Sequence, residues 1–143
     1  MNDIASHLRK FLLWLLVLAL IGTAAELGIT GHYEGLAQKA PLAVIALCLV
    51  AAGWLAAAGT KASLAAFRAV MVISMLSGIV GIGLHYKGKV EFQLETNRSL
   101  AGWELFMKAM KAKNPPILAP GMMVQIGLLG LIYAYRYSTR GQS

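Results

Sequence analysis

The sequence predicts an all-α integral membrane four-helix bundle, on three observations. Four apolar stretches, residues 11–30, 40–60, 63–84 and 116–137, occupy most of the 143 residues. Each can cross a hydrocarbon core of about 30 Å, which takes roughly 20 residues at 1.5 Å rise per residue. The mean hydropathy of +0.65 agrees. Backbone amides in hydrocarbon must pair internally, and the runs lack the alternation of a barrel strand, so the spans are helices. The chain has room for one membrane domain, residues 1–143, and no separate soluble one.

The first run follows Arg9-Lys10 and contains Gly22-Thr23-Ala24-Ala25, which imitates a signal peptide. It continues to Thr30, longer than a signal's apolar region, and is read as a transmembrane helix. The second run is rich in alanine and glycine from Ala51 to Gly59, and its Cys48, the lone thiol, reads as a packing residue. In the third, Ser74 and Gly78, and Ser77 and Gly81, lie four apart, so neighbouring backbones can approach and gain dispersion contacts. Arg68, inside the start of that run, is expected to snorkel to the interface. The fourth run has Gly127 and Gly130 and ends in Tyr133, Tyr135 and Tyr137 beside Arg136, an interfacial anchor.

Between the third and fourth spans lies an expected extracytoplasmic cap, residues 86–115. Lys89–Glu95 alternates polar and apolar residues, the pattern of a short extended segment. Asn97 and Ser99 can start a helix on which Leu100, Trp103, Phe106, Met107 and Met110 follow at helical spacing. Glu104 and Lys108 form an ion pair on its other face, so this piece reads as an amphipathic surface helix. Asn114-Pro115-Pro116 stops it, and Ala119-Pro120-Gly121 marks the bend into the last span.

The formal charge of +7 fits lipid headgroups rather than nucleic acid, because Lys and Arg lie in connections and at span ends. Six basic residues fall on one side of the expected topology and seven on the other, so a count does not orient the chain. Arg9-Lys10, directly before the first span, decides for both termini in the cytoplasm. Short loops and basic flanks suit a bacterial cytoplasmic membrane.

Polar chemistry gathers at the outer end. Glu26 and Gln125 lie at similar depth and form a candidate hydrogen-bonded pair for ligand binding or proton relay, with Glu91 nearby in the cap. His32, Glu34 and His85 are candidate ligands for a divalent metal. Haem is disfavoured, since both histidines lie near span ends. The seven methionines read as packing rather than copper ligands. No phosphate-binding loop, nucleophile elbow, zinc-protease motif or dinucleotide fingerprint occurs.

His85-Tyr86-x-Gly88-x-x-Glu91-Phe92, the turn Leu118-Ala119-Pro120-Gly121, and Gln125 with Gly127–Leu131 resemble a group of uncharacterised bacterial four-span membrane proteins. The resemblance implies the fold and no activity. The leading expectation is therefore a non-enzymatic accessory subunit or binding protein that presents its cap to a membrane protein partner or a second copy. The alternative is a metal, small polar ligand or proton-relay site in the outer-leaflet Glu/His cluster. An oligomeric channel or small transporter ranks last.

Overall fold

The computed structural model describes residues 2–31, 35–111, 118–135 and 137, and the regular structure among them is entirely helical. The helices are α1 (Asn2–Ile29), α2 (Leu36–Ala58), α3 (Lys61–Thr96), α4 (Gly102–Met110) and α5 (Leu118–Tyr133). Among the described residues, stretches of α1, α2 and α3 are long and apolar enough to cross a membrane, whereas α5 is apolar and has 16 described residues. That composition marks a membrane protein.

Each long helix buries one stripe and exposes the rest. Leu16, Leu20 and Leu27 of α1 meet Ile45, Cys48 and Leu55 of α2, Phe67 and Met71 of α3, and Met123 and Ile126 of α5 in one core. The opposite faces are no more polar than the core: Trp14, Leu18, Val50 and Ile132 are between 59 and 73% exposed. A soluble monomer rarely leaves such a continuous apolar surface open; hydrocarbon solvates it without penalty.

Gly59 ends α2 at φ 61°, in the left-handed region that glycine enters without a Cβ clash. Thr60 then caps α3: the Ser63 amide donates to its Oγ1 at 3.2 Å, and its own amide donates to Ser63 Oγ at 2.9 Å. Two residues thus reverse the chain and set α2 and α3 antiparallel.

Small residues bring α5 against α3. Gly78 and Gly81 face Pro120, while Gly127 and Gly130 face Met71 and Met75. The paired numbers run in opposite senses, so these helices are also antiparallel. Ser74 Oγ donates to the Met123 carbonyl at 2.9 Å, joining α3 to α5. At the end nearest the termini, Arg68 Nη2 donates to the Ala134 carbonyl at 2.8 Å and satisfies the last turn of α5. Arg68, expected to snorkel to the interface, is thus a helix cap. Tyr133 packs inward, edge-on to Phe67 at 5.7 Å, and Arg9 lies 5.4 Å from the Tyr137 ring. Of the three expected anchor tyrosines only Tyr135 is well exposed; Arg136 lies outside the described residues.

The expectation of an extended segment at Lys89–Glu95 is overturned: α3 runs through it to Thr96. Half-buried positions are Tyr86, Lys89, Val90, Gln93 and Leu94, a helical stripe rather than every second residue. A lone strand would leave its amides unpaired, whereas a helix already under way adds one hydrogen bond per residue without a new nucleation cost. The α4 helix packs against this extension, with Ala109 buried and Phe106 5.9 Å from Tyr86. It begins at Gly102, after Asn97 Oδ1 has accepted hydrogen bonds from the Ser99 amide and hydroxyl. The Glu104–Lys108 pair forms at 3.0 Å. Cap and extension thus make a helical hairpin; the expected Asn114-Pro115-Pro116 stop lies outside the described residues.

Candidate ligand groove

A cavity of about 820 Å³ lies beside α3 near the far ends of α1 and α2. One face of α3 supplies its long wall. Ile73, Leu76, Val80 and Leu84 line its aliphatic stretch, and His85, Lys89 and Phe92 continue the same face toward the end of α3. The deep stretch from Ile73 to Leu84 rises about 16 Å. Thr23 and Leu27 of α1, Gln38 and Pro41 of α2, and Pro120 and Met123 of α5 bound the other sides. Leu76, Val80 and Leu84 are nevertheless 57–60% exposed, so the wall also opens laterally.

The groove follows from the helix contacts. Glycines hold α5 tight on α3, and the Gly59-Thr60 turn joins α2 to α3 at the end away from the groove. Along the wall Ser77 and Gly88 are small, and a Cβ built on Gly88 meets nothing within 4 Å.

Polarity is graded along the groove. Its deep part is apolar apart from hydroxyls such as that of Thr23, which donates to the Ala19 carbonyl at 2.8 Å. Its mouth carries Gln38, His85 and Lys89. Gln38 Oε1 accepts from the Gly35 amide at 3.2 Å, which fixes the side chain at the start of α2. Lys89 is half-buried, and among the described residues no carboxylate pairs with it. The neighbouring acids turn elsewhere: Glu91 pairs with Lys87 at 3.8 Å in solvent, and Glu104 with Lys108. Among the described residues no acid lines the cavity.

Of the candidate ligand and metal-site residues that fall among the described residues, His85 alone lines the groove. Glu26 and Gln125 are both exposed, and among the described residues no hydrogen bond joins their side chains. Glu91 points to solvent with Lys87. His32 and Glu34 lie outside the described residues. Among the described residues no three His, Cys, Asp or Glu side chains gather as metal ligands. Sequence reasoning missed Lys89 and Gln38. The signal for Lys89 was present in its spacing, four residues after His85 on one helical face, once the helix is extended past Leu84.

No family model, curated protein or solved structure matches the chain. Class therefore rests on fold and groove: an all-α membrane protein with an amphipathic cleft beside its longest helix.

Proposed function

We propose that this is a four-span protein of a bacterial cytoplasmic membrane, with both termini in the cytoplasm, acting as a non-enzymatic binding protein that holds one amphiphilic molecule. The groove carries this reading. Its apolar wall is about 16 Å deep, close to one leaflet of a hydrocarbon core of about 30 Å. Its volume of about 820 Å³ lies toward the upper end of the roughly 300–1,000 Å³ usual for ligand pockets. An apolar cleft open to lipid is filled by a hydrocarbon chain rather than by water, which would find too few polar partners there. The polar mouth then lies at headgroup level, where an amphiphile's head belongs. Fourth-span status for α5 is supported by its antiparallel packing along α3 from Gly81 to Phe67.

Groove-filling substitutions test the reading. Ser77→Phe with Gly88→Phe adds bulk on the lining face, and Gly88 has open space for it. Lipid extraction from protein purified in mild detergent, followed by mass spectrometry, should show a stoichiometric amphiphile in the wild type and its loss in the double variant. Equal retention by both would contradict the reading.

A second reading concerns the helical hairpin. Trp103 is 72% exposed and stacks on Phe106 at 5.1 Å, presenting a rigid aromatic surface on α4. This supports the hairpin as the place where an accessory subunit meets its membrane partner. A photoreactive residue at Trp103 should give one discrete adduct in native membranes, abolished by Phe106→Ala. A smear of lipid adducts would argue for simple membrane contact.

A further inference from the structure

We infer that the groove selects an anionic glycerophospholipid, with Lys89 as the cation that reads the headgroup. The inference rests on the proposed amphiphile site and adds the chemistry of the head. Two observations carry it.

The first is where the cation stands. Lys89 lies five residues beyond Leu84, the end of the aliphatic stretch of the wall, or about 7 Å along the helix, with Phe92 following it on the same face. A lipid whose chain lies along Ile73–Leu84 therefore has its phosphate beside Lys89. His85 lies one turn below on the same face, and Gln38 faces them from α2 across the mouth. The three side-chain types present nitrogen-borne donors, the complement of phosphate oxygens.

The second is the charge balance around the mouth. Lys87 and Lys108 are each engaged by a glutamate one turn away. Lys89 has no such partner among the described residues, although it is half-buried at the rim of an apolar cleft. A cation that lines an apolar cleft with no acid in its lining is complemented by an anionic head, which supplies the counter-charge. A neutral head such as a quinone's would not.

A lysine near a membrane surface favours an anionic lipid by about fivefold. The test is native mass spectrometry of the intact protein titrated with phosphatidylglycerol and phosphatidylcholine of identical chains. The wild type is expected to prefer phosphatidylglycerol by about fivefold or more. Lys89→Gln should abolish the preference while keeping phosphatidylcholine binding. Lys89→Arg should retain it, and Lys87→Gln, two residues away on the solvent face, should leave it unchanged.

Equal binding of both lipids by the wild type, with both lost in Ser77→Phe/Gly88→Phe, would overturn the headgroup inference and leave the groove standing. An unchanged phosphatidylglycerol preference in Lys89→Gln would also overturn it. Retention of both lipids by the groove-filled variant, or no bound lipid at all in the wild type, would overturn groove and headgroup together.

Discussion

Replacing Gly127 by alanine should separate the two helices that frame the groove. A Cβ there would lie 2.5 Å from the Met71 carbonyl oxygen and 3.0 Å from the Met75 amide nitrogen. Ordinary contacts begin near 3.5 Å, so α3 and α5 must part by about 1 Å, because backbone atoms cannot swing aside as a side chain does. Gly78→Ala meets the same obstacle from the other helix, with Pro120 O at 2.6 Å and Val124 N at 2.8 Å. Overpacking of this kind costs about 1–3 kcal/mol, and alanine's helix propensity returns up to about 1 kcal/mol. A net loss of about 1–2 kcal/mol is expected at each site. Gly22, Gly28 and Gly53 supply the control, since a Cβ at any of them meets nothing within 4 Å. Alanine there should be neutral or stabilising by up to about 1 kcal/mol. Gly130→Ala should fall between the sets, because its obstacles are the Met71 and Phe67 side chains. Unfolding by SDS in mixed micelles, followed by circular dichroism, measures all six. If the two sets agree within about 0.5 kcal/mol, close backbone approach is not what holds α5 to α3.

Four further outcomes are expected. Ser74→Ala removes the hydroxyl that joins α3 to the Met123 carbonyl and should lower stability in the same assay by about 1 kcal/mol. Arg68→Gln uncaps α5, so hydrogen exchange should accelerate at residues 133–135 while α1 keeps its protection. Glu104→Gln breaks a surface pair and should change stability by less than about 0.5 kcal/mol. In a Cys48→Ser background, a cysteine at Arg98 should react with a membrane-impermeant maleimide in intact cells, and one at Lys10 should not. The reverse pattern would invert the proposed topology.

Much of the fold was legible because hydrophobic length and small-residue spacing are local signals. The long apolar helices, the Ser74/Gly78 face and the Glu104–Lys108 pair all follow from residues within a few turns of each other. The Lys89–Glu95 segment misled because Val90, Phe92 and Leu94 alternate over a run too short to separate period 2 from 3.6. Helix continuation from α3 and the packing of α4 decide the matter, and neither is visible in that window. The C-terminal end of α5 depends likewise on Arg68, 66 residues away in sequence from the carbonyl it caps. The groove was the least legible feature. Depth counting grouped Glu26 with Gln125, but depth says nothing of azimuth, and both side chains turn outward. Lys89 looked like one more interfacial cation. Its distinction is that Lys87 and Lys108 have glutamates one turn away whereas its own face leads into a cavity, a fact of helix phase and packing.

The most direct measurement is a crystal structure grown from a lipid mesophase doped with phosphatidylglycerol. Chain density along Ile73–Leu84, ending in a phosphate within hydrogen-bond reach of Lys89, is the predicted result. An α2 helix collapsed onto α3 with the groove closed, or lipid only on the outer faces around Trp14 and Val50, would contradict the reading.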